Sequence, residues 1–164
     1  MDKMETPSIF TAAELMRIKF PTPKWLIDDF LPEGVTVLSG APKIGKSWLS
    51  LQIGLNITTS GSLFGSKSST EKRVLLLALE DNGRRLQERI IKSSLTASDK
   101  FVLTTEWTAG IEGLKTYLKN SPRFNLCIID TLGVFLPGQA TKGRNAYDVD
   151  VTRMRQLHML YKST

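Results

Sequence analysis

The sequence predicts a single α/β domain in which helices flank a mainly parallel sheet. Short apolar runs alternate with segments of helical period, which is the pattern of successive βα units. The length of 164 residues suits one domain with one core. We expect four strands, at residues 35–39, 74–79, 101–105 and 126–130.

Helices are expected between these strands. Residues 47–59 have the length and pattern of a helix that begins soon after the first strand. The next two helices are indicated by apolar residues at helical spacing, which are Leu86, Ile90 and Ile91 for one and Ile111, Leu114 and Leu118 for the other. Residues 60–72 are rich in Gly, Ser and Lys, and this composition indicates a surface connection.

The last segment predicts a helix with one apolar face. Tyr147, Val151, Met154, His158 and Tyr161 recur at helical spacing. His158 is expected to be a buried core histidine rather than a catalytic one, because the chain has no second His to join it. The sequence stops shortly after Tyr161, where a doubly wound fold would return through another strand. We therefore expect the sheet to lack its last strands.

The chain is predicted to consist of an N-terminal lead-in, residues 1–33, and the α/β domain, residues 34–164. The lead-in is interrupted by prolines, which are Pro7, Pro21, Pro23 and Pro32. Its first residues lack the apolar stretch of a secretory signal, and the longest apolar run, residues 74–79, is too short to cross a bilayer. We expect a cytoplasmic protein without a membrane partner.

Charge and cysteine content limit the classes of function. The formal net charge of +6 favours a polyanionic partner, because cationic side chains that neutralise phosphates release counterions. One cysteine and one histidine exclude a disulfide within the chain and a zinc site of the usual kind. Cys127 is therefore expected to be a small buried apolar residue.

A complete phosphate-binding motif, G-x-x-x-x-G-K-S, follows the first predicted strand and opens a helix. The glycines let backbone N–H groups converge, and the helix adds its positive dipole end to this anion site. Lys46 should reach the β- and γ-phosphates and assist catalysis, and the Ser47 hydroxyl should bind Mg²⁺. The predicted nucleotide-binding residues are Gly40, Ala41, Pro42, Lys43, Ile44, Gly45, Lys46, Ser47 and Trp48.

Two apolar runs end in acidic residues, so either could supply the carboxylate near the metal. Residues 126–130 end in Asp130, which is the Walker B pattern, and Thr131 could help from the same turn. Residues 74–79 are followed by Glu80. If Asp130 holds Mg²⁺, Glu80 would emerge at the same edge of the sheet and could polarise the attacking water.

A simpler interpretation of the second acidic cluster stays open. Asp81 or Asn82 could cap the following helix, and Glu80 would then be a nearby charge favoured by the helix dipole.

These residues resemble the RecA-like P-loop ATPases, and within them the RepA-type replicative helicases of plasmids, phages and mobile elements. The likeness rests on Trp25-Leu26-Ile27 before Leu31-Pro32-Glu33-Gly34, on Gly40 to Ser47, on Ala78-Leu79-Glu80-Asp81, on Arg84-Arg85-Leu86-Gln87 and on Ile128-Ile129-Asp130-Thr131-Leu132. The P-loop indicates nucleotide binding in general. The Leu79-Glu80-Asp81 step is what points to this branch.

The resemblance implies roles for individual residues. Glu80 would be the catalytic base, Asp130 would assist Mg²⁺, and six copies would form a ring around DNA, with single-stranded DNA as the expected partner. It also implies a sensor histidine and an arginine finger on later strands, and neither is visible in the sequence. An arginine finger contributes about 10³ to 10⁵ in rate, so this chain alone should bind ATP and hydrolyse it slowly.

Two basic clusters are candidates for DNA contact. Lys142 and Arg144 lie in the predicted loop 137–145, just beyond Asp130, and we weigh DNA contact there evenly against an ordinary loop. For a second cluster we favour an ordinary solvated helix face over DNA contact; its members are Arg84, Arg85 and Arg89.

Two other functions compete with an ATP-driven motor. One is a nucleotide-gated loader or regulator that binds DNA without productive turnover, because the catalytic machinery of later strands is missing. The other is a P-loop kinase that phosphorylates a small metabolite. The kinase fits less well, because two strands intervene between the P-loop helix and Asp130 and no arginine-rich lid is evident.

Overall fold

The computed structural model describes residues 9–67, 71–136 and 146–163. Its strands are β1 (Trp25–Ile27), β2 (Leu31–Pro32), β3 (Ser62–Leu63), β4 (Ser66–Lys67), β5 (Val74–Ala78), β6 (Phe101–Thr104) and β7 (Leu126–Asp130). Its helices are α1 (Ala12–Leu15), α2 (Lys46–Thr58), α3 (Gly83–Ser93), α4 (Gly110–Asn120), α5 (Leu132–Phe135) and α6 (Ala146–Ser163). The α/β prediction is confirmed.

The central sheet is parallel and has the order β6-β5-β7 in the described part of the chain. β5 lies in the middle, and all five of its residues are buried. Such a strand is apolar throughout because helices cover both faces of the sheet. The register pairs Leu75 with Val102 on one side and with Cys127 on the other.

Alternate residues of β5 enter two apolar cores. Leu76 points into a core shared with α2 and α3, where Leu51 and Leu55 are fully buried. Leu77 points into a second core on the opposite face, shared with α4, α5 and α6, where Leu114 is fully buried. The arrangement is a helix–sheet–helix sandwich.

α2, which begins within the phosphate-binding motif, packs closely against the sheet at Gly54. Gly54 lies on the buried side of this helix, and a Cβ atom at that position would come within 2.2 Å of the Phe101 ring of β6. The missing side chain therefore lets the helix approach the sheet, and the first turn of α2 is held at a defined height above the strands.

The predicted strand at residues 35–39 is wrong: these residues form no strand. Val35, Val37 and Leu38 are 40%, 60% and 47% exposed. Their composition favours a strand, but a strand exists only where a neighbour completes the hydrogen-bond ladder. Within the described residues, β7 pairs with β5 alone, so its outer edge carries no neighbouring strand.

Two hairpins lie where the sequence indicated less regular structure. β1 and β2 pair within the predicted lead-in, and Ile27 and Leu31 join the core beside α2. β3 and β4 pair within the predicted surface connection. The division of the chain at residues 33 and 34 stays a prediction, although the first hairpin shares the main core.

The last helix, α6, follows the predicted apolar face only in part: Val151 and Met154 are half-buried, whereas Tyr161 is exposed. His158 is exposed, and Leu157 and Leu160 pack against the second core. The interpretation of His158 as a buried core histidine is therefore wrong. Apolar residues occur on more than one side of this segment, and packing against α4 selects the side that carries the two leucines.

Among the described helices, none is long and apolar enough to span a membrane.

Candidate nucleotide-binding site

The phosphate-binding motif forms a tight turn that ends at the first residue of α2. Lys43 has φ 65° and Gly45 has φ 104°, so two residues of the turn adopt left-handed backbone conformations. Gly45 is the N-cap of α2, and no side chain caps this helix. The first-turn N–H groups of a helix lack partners within it. Here they stay available to an anion, which fits a phosphate.

Lys46 folds back over the turn. Its ammonium donates hydrogen bonds to the carbonyl oxygens of Gly40 at 2.8 Å and of Ala41 at 2.9 Å. The cation is therefore held at the mouth of the turn, where a triphosphate would meet it. The Ser47 hydroxyl has no hydrogen-bond partner among the described residues, so its oxygen is free to bind a metal ion.

Asp130 and Glu80 come together at the carboxyl ends of two adjacent strands. Asp130, the last residue of β7, pairs with Ala78, the last residue of β5. One step further, the Leu79 N–H donates to the Asp130 carbonyl at 2.6 Å. The side chain of Asp130 has no hydrogen bond or ion pair in the described part of the chain. Both carboxylates thus lie at one sheet edge.

Thr131 provides a contact that the sequence did not predict. Its hydroxyl donates a hydrogen bond of 2.9 Å to Oε1 of Glu80. The sequence suggested Thr131 as a helper at the metal, and nothing local indicated that its partner lies 51 positions away. Only the pairing of β5 with β7 brings the two side chains together.

The helix cap beside Glu80 is now assigned. The Asn82 side chain accepts a hydrogen bond from the Arg85 N–H at 2.9 Å, so Asn82 caps α3 as the simpler interpretation of this cluster allowed. Glu80 takes no part in that cap, and its carboxylate turns to Thr131 instead. Capping of α3 and a catalytic role of Glu80 are therefore compatible.

The arginines of α3 are held by acidic side chains. Arg85 and Arg89 both pair with Asp81, whose side chain is 8% exposed, and Arg84 pairs with Glu88. These pairs neutralise much of the positive charge that α3 could offer to a polyanion. They favour a structural role for this cluster.

Arg89 also connects α3 to the phosphate-binding helix. Its guanidinium lies over the Trp48 ring, 5.6 Å from the ring centre, while it pairs with Asp81. Trp48 directly follows Ser47, and Asp81 directly follows Glu80. The first turn of α2 and the end of β5 are therefore joined through one side chain.

The donor set fits Mg²⁺ held jointly with a nucleotide. No cluster of three or more His, Cys, Asp or Glu side chains able to hold a metal occurs in the described residues. Mg²⁺ commonly uses one or two protein oxygens together with phosphate oxygens and water. Ser47 and Asp130 would supply those protein oxygens. No hydrogen bond or ion pair between described residues joins Ser47 to Asp130 directly.

The phosphate site is an open turn rather than a closed cavity. Residues 40–44 are exposed. A separate groove of about 630 Å³ opens between α3 and β6, and Leu86, Ile90 and Leu103 are among its lining residues. None of the predicted site residues lines it. Lys142 and Arg144, the predicted DNA contacts, lie outside the described residues.

The turn, the uncapped helix and the paired strand ends define a P-loop nucleotide-binding domain of the α/β class. A family model described as an AAA domain matches residues 2–162. The chain belongs to this family of P-loop ATPases, which bind and hydrolyse ATP, generally with Mg²⁺. No curated protein and no solved structure matches the chain.

Proposed function

We propose that this chain is the ATP-hydrolysing domain of a RecA-like ATPase that acts on DNA, a hexameric replicative helicase of the RepA type located in the cytoplasm. One observation carries the ATP-hydrolysing part of the proposal, and the DNA-acting part rests on the resemblance of the sequence. Glu80 and Asp130 emerge side by side from adjacent parallel strands, so a metal ligand and a general base would share one edge of the sheet.

The two carboxylates take different roles because their surroundings differ. Asp130 ends β7 and is half-buried, and its carboxylate has no partner within the described chain, which suits a ligand of Mg²⁺ or of its bound water. Glu80 is exposed and lies two residues beyond the end of β5, where a water molecule can reach it. Glu80 would accept the proton of the water that attacks the γ-phosphate.

The P-loop supplies the binding energy in this proposal. The Lys46 ammonium would exchange its two carbonyl partners for β- and γ-phosphate oxygens. The uncapped N–H groups at the start of α2 would hold the same phosphates. The P-loop would thus bind the nucleotide, and the residues that act in hydrolysis, Glu80 and Asp130, would come from the ends of β5 and β7.

The Glu80→Gln variant tests the catalytic role. Glutamine keeps the shape of the side chain but cannot accept the proton, so phosphate release under single-turnover conditions should fall by about a hundredfold or more. ATP affinity in Mg²⁺, measured by calorimetry, should stay within about twofold. Glu112→Gln, at another exposed glutamate, is the matched control and should leave turnover unchanged. Unchanged turnover in Glu80→Gln would refute the assigned role.

The Lys46→Ala variant tests the binding role. Losing a charge-assisted contact with phosphate should weaken ATP binding by about tenfold or more. Lys119→Ala, at an exposed lysine near the end of α4, should bind ATP normally. Equal affinity of both variants would contradict a phosphate site at this turn.

DNA action is tested through charge. The proposal assigns contacts with single-stranded DNA to Lys142 and Arg144, since the arginines of α3 are already paired with acids. The logarithm of the affinity should fall linearly with the logarithm of the salt concentration, and replacing both residues by alanine should make that slope shallower by about 1.4 units. DNA that stimulates hydrolysis supports the motor. DNA binding that requires ATP but leaves hydrolysis unchanged would instead identify a nucleotide-gated loader.

A further inference from the structure

We infer that Thr131 is a positioning residue whose hydroxyl orients the Glu80 carboxylate for proton transfer. The inference rests on the proposed role of Glu80 as general base. It adds a residue that acts through Glu80 and needs no contact with ATP.

The strand pairing brings the backbones of the two residues close together. β5 and β7 are paired along their whole length, from Val74 opposite Leu126 to Ala78 opposite Asp130. The hydrogen bond from the Leu79 N–H to the Asp130 carbonyl continues this pairing beyond the last strand residues. Glu80 and Thr131 each follow one step later, so the pairing brings them to neighbouring positions, and their side-chain oxygens lie 2.9 Å apart.

Thr131 gives up a common local role to make this contact. It is the N-cap residue of α5 with extended backbone angles, φ −117° and ψ 159°, yet its side chain caps no N–H group of that helix. A threonine at this position normally accepts a hydrogen bond from the first turn. Here the carbonyl oxygen of Thr131 accepts hydrogen bonds from the Val134 and Phe135 N–H groups, and its hydroxyl donates a hydrogen bond to the Glu80 carboxylate.

Glu80 needs such a restraint. Its side chain is exposed, and within the described chain its carboxylate has no hydrogen bond or ion pair other than that with Thr131. A free glutamate samples many rotamers, and only some aim the carboxylate at a water molecule beside the γ-phosphate. A donor on the neighbouring strand end reduces that freedom while leaving Oε2 available to the water.

The Thr131→Val variant removes the hydroxyl and keeps the branched shape. The rate of phosphate release at saturating ATP should fall by about tenfold, the usual effect of losing one hydrogen bond to a charged group at a partly exposed site. ATP affinity in Mg²⁺ should change by less than about twofold, because Thr131 does not hold the metal in this inference. The Thr131→Ser variant keeps a hydroxyl and should retain at least half of the phosphate-release rate of the unaltered protein.

Three results would overturn the inference. An unchanged rate in Thr131→Val would show that the contact does not matter. A faster rate would show that the hydroxyl holds Glu80 away from the water. A loss of Mg²⁺-dependent ATP affinity equal to the loss of rate would identify Thr131 as a metal ligand instead.

Comparison of Thr131→Val with Glu80→Gln separates failure of this inference from failure of the proposed function. If Glu80→Gln leaves turnover intact, the role of Glu80 is wrong; if Glu80→Gln abolishes turnover while Thr131→Val does not, only the positioning role is wrong. In the double variant, the loss should equal that of Glu80→Gln alone, because Thr131 acts through Glu80. Thr116→Val removes an exposed hydroxyl on α4 and should leave the rate unchanged.

Discussion

Replacing Gly54 by alanine tests whether the height of the P-loop helix above the sheet depends on one missing side chain. The new Cβ would lie 2.2, 2.4 and 3.0 Å from three atoms of the Phe101 ring. Phe101 is 9% exposed and is the first residue of β6, so its ring cannot rotate into solvent. The helix must shift away, or the ring must move into neighbouring core residues.

Two opposing contributions set the size of the effect. Alanine is the better helix former inside a helix and would stabilise the protein by about 1 kcal/mol. Overpacking a well-filled core costs about 1 to 3 kcal/mol, and close approach to three ring atoms places Gly54→Ala at the upper end of that range. The free energy of unfolding should therefore fall by about 2 kcal/mol.

Urea denaturation measures this loss. With a denaturant dependence of about 2 kcal/mol/M, the midpoint should fall by about 1 M. Gly83→Ala is the matched control, because a Cβ at the start of α3 would meet no atom within 4 Å. The double variant Gly54→Ala with Phe101→Leu should lose less than the sum of the two single changes. A midpoint that is unchanged or raised in Gly54→Ala would refute the reasoning.

Asp81→Asn should lower the free energy of unfolding by about 2 kcal/mol, because a buried carboxylate holds Arg85 and Arg89; Glu88→Gln, which breaks an exposed pair, should lower it by less than about 0.5 kcal/mol. Equal midpoints of the two variants in urea would contradict this. Burial raises the pKa of Cys127 to about 12, so a thiol reagent should label the native protein slowly near neutral pH and the unfolded protein fast. Because this folded-state pKa exceeds the ordinary value of 9.0, stability measured by urea should also fall as the pH rises above that value.

The strands of the sheet and the helices around it could be predicted wherever the pattern of apolar residues in the sequence matches the residues that are buried in the structure. The strand Leu126–Asp130 has the predicted bounds, and the helix predicted at residues 47–59 is found at Lys46–Thr58. The stretch at residues 35–39 has the same kind of composition but no neighbouring strand among the residues that the structure describes, and hydrogen bonding between strands is not encoded in a single segment. The prediction that His158 is buried was wrong for a related reason. When a helix carries apolar residues on several sides, its sequence does not show which side packs against neighbouring elements.

The candidate site was predictable where residues are consecutive. Lys46 and Ser47 belong to one motif, and the turn and helix around them follow from it. The contact between Thr131 and Glu80 depends on strand register, and the contact between Arg89 and Trp48 depends on how two helices pack. Neither contact can be predicted from the sequence alone, because both depend on tertiary structure.

The two hydrogen bonds from Lys46 to its own loop hold a positive charge at the phosphate-binding turn. Since that ammonium has two carbonyl partners, an arriving nucleotide gains only the difference between phosphate and carbonyl acceptors, not a whole new ion pair. The loop is also organised beforehand, so little chain entropy is lost on binding. A lysine held in this way therefore contributes less to nucleotide affinity than an unpartnered ammonium would, and the turn needs little rearrangement to receive a phosphate.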